Sequence, residues 1–252
     1  MHLVAITELS SDFPSPQLKA LADDLGTTAY ELRLILNAGL PAVVLATTDE
    51  SQAQSACAAI TRHGHRALSC DRDRIVPSSS LVVLREFELT STALLADRGA
   101  SLTCSYEDIS VLLRATHRTV TEQAQEVKER KLRPVMALAT GGLVMSKTTI
   151  KAVTSTSAQR EQVLYIFSRS NDAPWLLRER SARYTGLGPA MAPSSFANFA
   201  ATVTRLRSLA GNAKYDERLV TNRPIRGLAD DVEATDCYAW LLAQQLRGEA
   251  RR

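Results

Sequence analysis

The segment LADDLGTTAYELRLILNAGLPAVVLATTDESQAQSACAAITRHGHRALSC, residues 21–70, decides the fold predicted for the first part of this chain. Helical and strand-like patterns alternate along it, and Gly26 and Gly64 stand where left-handed caps end two helices. Thr28 and Glu31 have the spacing of a capping box, in which each side chain accepts a backbone N–H at a helix start. A short apolar run at residues 3–6 adds a strand upstream. Residues 1–70 therefore predict the order β-α-α-β-α-β.

The second and third predicted helices each have one apolar face, which we expect to point into a core. On the second helix this face consists of Tyr30, Leu34, Ile35 and Ala38. On the third helix it consists of Ala53, Ala56, Cys57 and Ile60.

This layout resembles two small protein-binding domains, the C-terminal domain of the ribosomal stalk protein and the protease adaptor ClpS. Both have a Leu-Gly step between two short helices, here Leu25-Gly26, then a strand and a helix that ends in Gly before the last strand. The resemblance implies an α/β fold and a protein-binding role. It does not identify the partner: the acids after the first strand, Glu8 and Asp12, are not followed by the histidine of ClpS, and Thr27 replaces the leucine of the stalk Gly-Leu step.

From residue 81 the pattern becomes β-rich. Residues 81–89, 92–96 and 101–104 predict three antiparallel strands, and residues 71–80, with Pro77 and three serines, predict a linker. Residues 106–114 and 120–131 predict a short helix and a more polar helix. We therefore predict an α+β protein with a small domain at 1–72 and a larger β-rich domain at 81–252 that ends in helices.

Two terminal helices are predicted. The first begins after Pro193 with Ser194 or Ser195 as its cap, and its apolar stripe contains Phe196, Phe199, Val203, Leu206 and Ala210. The second covers residues 232–247. Strands followed by one such helix resemble pleckstrin-homology-like modules over residues 81–211, in which the helix plugs one end of a β-barrel. The polar helix at 120–131 departs from that layout.

The composition of the chain indicates where in the cell the protein is located. The chain has 252 residues with 45% hydrophobic content, enough for a sizeable core, and its four cysteines are spaced as reduced side chains rather than as a disulfide framework. It shows no basic-then-apolar leader, and no apolar run approaches the roughly 20 residues of a membrane span. We expect a cytoplasmic protein without a membrane span.

Positive charge is concentrated in residues 114–160, which contain nine bases and three acids. Such a segment meets phosphate, acidic protein or anionic lipid, or is merely solvated. It contains no Phe, Trp or Tyr for base stacking, so a protein partner is favoured over nucleic acid. The candidate binding residues here are Lys128, Arg130, Lys131 and Arg133.

Trp175 is a further candidate, because it stands near arginines and both residue types are enriched at interfaces. The alternative is a strand tryptophan that covers the edge of the core.

Familiar catalytic patterns are weak. Residues 141–148 imitate a phosphate-binding loop, but Ser146 replaces the final glycine and a strand-like run comes next where a helix is needed. Cys57, His63, His65 and Cys70 lack the short spacing of a structural zinc site. With four histidines in the chain, a histidine-based site is disfavoured, whereas a carboxylate or lysine site stays open. We predict no catalytic residue, cofactor or metal.

The sequence therefore favours a non-catalytic cytoplasmic protein-binding adaptor or scaffold. Two alternatives remain: an enzyme with a carboxylate-centred site, and an anion- or nucleic-acid-binding protein that uses residues 114–160.

Overall fold

The computed structural model describes residues 1–10, 15–96, 102–132, 146–171, 173–221 and 231–249. They form helices and several β-sheets, which confirms the predicted α+β class. The chain divides into two compact units, one made of Met1–His117 with Glu161–Arg252 and the other of Arg118–Arg160.

The first unit begins with a three-stranded antiparallel sheet in the order β2-β1-β3. Its strands are β1 (His2–Glu8), β2 (Ala42–Thr47) and β3 (Arg66–Asp71). The helices between them are α1 (Ser15–Asp24), α2 (Ala29–Asn37) and α3 (Glu50–Arg62). These elements have the predicted order, and Gly26 and Gly64 have φ angles of 67° and 82°, which glycine adopts without steric cost.

Two further sheets come later in the chain. The larger has the order β11-β8-β9-β10-β4, and the smaller has three antiparallel strands in the order β5-β6-β7. Their strands are β4 (Val82–Val83), β5 (Phe87–Leu89), β6 (Ala93–Ala96), β7 (Leu102–Ser105), β8 (Ile109–Leu132), β9 (Ser146–Ser168), β10 (Trp175–Arg178) and β11 (Lys214–Leu219). The last helices are α4 (Ser195–Leu209) and α5 (Asp231–Glu249).

Strand β8 replaces both helices predicted between residues 106 and 131. Inside the first unit its side chains alternate between two cores, with Val111 and Leu113 in one and Leu112 in the other. A period of two is typical of a strand that is covered on both faces. The predicted helices are wrong because pairing in the sheet overrides the helical propensity of the Gln, Glu and Lys residues.

The predicted terminal helices are present. Ser194 caps α4 by accepting a hydrogen bond from the N–H of Ala197 at 3.2 Å. Phe199, Val203 and Leu206 are buried, but Phe196 is 56% exposed, so its assignment to the inner stripe is wrong. In the described part of the chain, no helix is both long and apolar enough to cross a bilayer.

Both faces of the N-terminal sheet are covered. On one face Val4 and Ile6 pack against α1, α2 and α3. On the other face Leu3, Ala5 and Cys70 share a core with α5 and with β8 and β9. Residues 1–72 therefore share a core with the rest of the first unit, and an autonomous domain over that range stays a prediction.

Helix α2 also differs from expectation. Its buried side chain is Leu32, whereas Tyr30 and Leu34 of the predicted inner face are exposed. The helix is apolar on more than one side, so the pattern identified the helix but not the face that is buried.

Candidate functional site

Three of the four basic candidates, Lys128, Arg130 and Lys131, lie on β8 within the second unit. Arg133 lies outside the described residues. The structure thus assigns the three to one strand of that unit.

Trp175 is the first residue of β10 and is 5% exposed. It pairs with Ile166 on one side and Val82 on the other, and it belongs to the core that includes Phe199. This placement favours the alternative of a core tryptophan, because little of the indole is left to contact a partner.

The phosphate-loop imitation lies partly outside the described residues, at 141–145. From Ser146 onward the chain forms strand β9 rather than a helix. A phosphate loop needs helix N–H groups directed at the phosphate, and a strand does not supply them.

A buried polar network that the sequence did not reveal connects β8, β9 and α5. His117 Nε2 lies 2.7 Å from the hydroxyl of Tyr165, and that hydroxyl donates a hydrogen bond to Oδ1 of Asp236. The backbone N–H of Ser78 donates to Asp236 Oδ2 at 2.8 Å. Because the Tyr165 proton is directed to Asp236, the Tyr165 oxygen accepts from His117, which requires the tautomer with a proton on Nε2.

Burial controls the protonation of this network. It lowers the pKa of His117 to about 4, and the nearby charge of Arg178 adds to the effect. Burial also raises the pKa of Tyr165, helped by the neighbouring Asp236 carboxylate. Near neutral pH the imidazole is therefore neutral and the phenol stays protonated, so neither group is tuned to exchange protons at that pH.

A cleft of about 380 Å³ lies beside Asp236, between the segment after β3 and the first turns of α5. Its polar lining comes from Arg72, Asp73, Glu233, Asp236 and Cys237. Arg72 forms an ion pair with Glu233. Burial raises the pKa of the Cys237 thiol to about 12, so the thiolate needed for nucleophilic attack is scarce at neutral pH.

The residues considered for zinc have other roles. His63 Nε2 lies 3.1 Å from Asp24, and the N–H of Ser10 donates to Nδ1 of His65 at 3.2 Å. Cys57 and Cys70 are free thiols. Over the described ranges, no three His, Cys, Asp or Glu side chains are grouped so that they could hold a metal ion.

The exposed side of α2 is an apolar surface. Tyr30 is 71% exposed and Leu34, one turn further along the helix, is 42% exposed. We call this pair the α2 surface. It is held in place by the predicted capping box, in which the Glu31 N–H donates to Thr28 Oγ1 at 3.1 Å and the Thr28 N–H donates to Glu31 Oε2 at 3.3 Å.

Sequence reasoning missed Tyr165 because it lies in the apolar run 163–167 of β9, and it missed Asp236 because this residue follows other polar residues in the first turns of α5. The available signal was the position of Asp236 directly before the apolar run 237–243 of α5, where an ionised side chain needs buried partners.

The chain matches no family model, and neither a curated protein nor a solved structure matches it. The resemblances to the stalk domain, to ClpS and to pleckstrin-homology-like modules therefore stay predictions.

Proposed function

We propose that this protein is a non-catalytic, cytoplasmic protein-binding adaptor. The observation that carries the proposal is the α2 surface, where two large apolar side chains lie in solvent on a rigidly capped helix. Residues three or four apart on a helix are neighbours, so Tyr30 and Leu34 offer one continuous contact area. Tyrosine is enriched among the residues that contribute most to binding energy.

Charge suggests the kind of partner. Helix α1, which packs against α2, ends in exposed Asp23 and in Asp24, which pairs with Arg62 at 3.5 Å, and residues 1–75 contain nine acids and six bases. We therefore expect a protein surface with an apolar side chain flanked by basic residues. The reduced state of Cys57, Cys70, Cys104 and Cys237 supports a cytoplasmic setting.

The enzyme alternative receives less support. The alternative was a carboxylate-centred site, and the carboxylate of the buried network, Asp236, has both oxygens bonded inside the core, one to the Tyr165 hydroxyl and one to the N–H of Ser78. Such a network is suited to fixing the packing of β8, β9 and α5.

The test uses the full chain as bait in an extract of the source cells, with retained proteins identified by mass spectrometry. A variant with Tyr30→Ser and Leu34→Ser is compared with a matched control with Met191→Ser and Phe196→Ser, whose side chains are 54% and 56% exposed. We expect one partner that the wild type and the control retain equally and that the α2 variant loses at least about tenfold. Equal retention by all three, or no specific partner for the wild type, would contradict the proposal.

Anion binding is a second candidate function. It is favoured by the second unit, Arg118–Arg160, whose sequence contains eight bases and three acids. Lys128, Arg130 and Lys131 lie on its strand β8.

This candidate is tested by changing Lys128, Arg130, Lys131 and Arg133 to Gln. The control carries the same charge change at exposed bases of the first unit, Lys19, Arg33, Arg74 and Lys214. If the segment binds anions, the first variant loses affinity for polyglutamate or a random DNA duplex, and the salt dependence of binding flattens more than in the control. Identical behaviour of the two variants would show that the segment is merely solvated.

A further inference from the structure

Strand β3 is an edge strand of the N-terminal sheet, whose order is β2-β1-β3. Within the described part of the chain it pairs with β1 and with no other strand. Its end residues, Arg66 and Asp71, are charged, whereas residues 67–70 between them are not. An uncharged edge is a template for another strand, because its outer backbone groups lack partners.

The register shows which backbone groups point outward. The N–H of Arg72 donates to the carbonyl of Met1 at 2.8 Å, which marks Met1 and Arg72 as a hydrogen-bonded pair. Such pairs alternate along an antiparallel ladder, so Leu3 with Cys70 and Ala5 with Leu68 are the next ones. The N–H and C=O groups of Ala67 and Ser69 therefore point away from β1, and they have no backbone partner in the described ranges.

A groove of about 320 Å³ lies beside the start of this edge, where His65, Arg66, Ala67 and Leu68 line it. We call it the β3 groove. It is lined by Ala67 and Leu68 of β3, by Thr61 of α3 on one face of the sheet, and by Gln244 and Gln245 of α5 on the other. Amide and hydroxyl groups on both faces can hydrogen-bond to a chain that lies along the edge.

We propose that the β3 groove binds an extended peptide segment of a partner protein, which adds to β3 as a fourth strand. The backbone groups of Ala67, which lines the groove, and of Ser69, the next outward-facing residue along β3, supply the main-chain hydrogen bonds. Alternate peptide side chains point toward α5, where Gln244 and Gln245 select polar side chains. This proposal extends the adaptor function to a second surface and does not depend on Tyr30 or Leu34.

The substitution Ser69→Pro tests the main-chain hydrogen bonds separately from side-chain contacts. It removes the outward N–H of residue 69 but no hydrogen bond between β3 and β1, and proline is tolerated at such edge positions. The control Ser69→Ala removes the side chain and keeps the N–H. A strand-addition site distinguishes these two variants, whereas a site that contacts the side chain does not.

The probe is a library of random twelve-residue peptides displayed on phage and selected on the full chain, after which the enriched peptides are synthesised. We expect at least about a tenfold loss of affinity in Ser69→Pro and no loss in Ser69→Ala. In the wild-type chain, the peptide should slow amide hydrogen exchange at Ala67 and Ser69 at least about tenfold, and exchange at Leu68 and Cys70 should already be slow without it.

The exchange measurement uses the unmodified chain, so it decides the question even where Ser69→Pro fails to fold. Three results would overturn the proposal: no enriched peptide, peptides that leave exchange at Ala67 and Ser69 unchanged, and equal affinity for Ser69→Pro and the wild type. The proposal would also be overturned if the chain forms a dimer that Ser69→Pro dissociates. The occupant of the groove would then be a second copy of the chain. If the variant with Tyr30→Ser and Leu34→Ser loses its partner but still binds the peptide, the α2 surface and the β3 groove act as independent binding sites.

Discussion

At the scale of single residues, the hydroxyl of Tyr165 determines whether two other buried groups are satisfied. It donates to Asp236 and accepts from His117, and all three side chains are almost fully buried. A buried polar group without a partner costs more than the net value of an ordinary hydrogen bond. One phenolic oxygen therefore affects the packing of β8, β9 and α5 together.

Replacing Tyr165 with Phe should lower the free energy of unfolding by about 2–3 kcal/mol, because the change leaves both His117 and Asp236 without this partner. The matched control is Tyr184→Phe, since Tyr184 is also buried but its hydroxyl makes one bond, to the carbonyl of Glu179 at 2.8 Å. The control should lose about 1 kcal/mol. Urea denaturation measures both, and equal losses would refute the shared role of Tyr165.

His117 predicts a pH dependence of stability. Its pKa is about 4 in the folded protein, against 6.5 for an ordinary histidine, so below pH 6.5 the unfolded chain binds a proton that the folded chain does not. The wild type should lose up to about 3 kcal/mol of stability through His117 between pH 6.5 and 4, and His117→Gln should lack this component.

The measurement is the difference in unfolding free energy between wild type and His117→Gln at several pH values. That difference should shrink as the pH falls from 6.5 to 4, since acid costs the wild type more. A difference that stays constant over this range would mean that folding does not lower the pKa of His117.

At the scale of elements, α2 is a helix whose position is set by its cap and by one buried residue. Thr28 and Glu31 fix its start, and Leu32 anchors it in the core. Tyr30 and Leu34 are then directed into solvent, because they lie together on a different side of the helix from Leu32. The exposure of the α2 surface is thus a consequence of the anchoring and not of a mobile helix end.

Thr28→Ala should destabilise the protein by about 1 kcal/mol, because it removes the oxygen that accepts the Glu31 N–H. Thr28→Ser keeps that oxygen and should remain near the wild type. Thermal unfolding followed by circular dichroism compares the three proteins. If Thr28→Ala weakens partner binding as well, the cap also positions the α2 surface, and a stability unchanged by Thr28→Ala would show that the cap contributes nothing.

At the scale of the whole molecule, the N-terminal sheet is covered on both faces. Its inner residues Leu3 and Ala5 contact the same core as Tyr165 and Cys237, whereas Val4 and Ile6 contact the three N-terminal helices. A fragment of residues 1–72 would keep the contacts of Val4 and Ile6 with the N-terminal helices. It would expose Leu3 and Ala5 to solvent.

Leu3 therefore distinguishes the fragment from the full chain. In the full chain, Leu3→Ala should cost about 3 kcal/mol, because Leu3 is fully buried. In the fragment 1–72, the same change should cost less than about 1 kcal/mol, since its side chain would face water there. Urea denaturation of both forms checks this. A fragment that shows no cooperative unfolding would refute the autonomous domain.

The sequence by itself determined the local features: the order β-α-α-β-α-β, the Thr28 capping box, the glycines after α1 and α3, and the start of α4. Each depends on residues a few positions apart, whose spacing and φ preferences act without the rest of the chain. The tertiary structure alone decided which face of α2 is buried, that residues 109–132 form a strand, that Trp175 lies in the core, and that His117, Tyr165 and Asp236 meet. These outcomes depend on contacts between residues that are far apart in the sequence, such as His117 and Asp236. Such contacts override local propensity, because burial and strand pairing contribute more free energy than the helix preference of single residues.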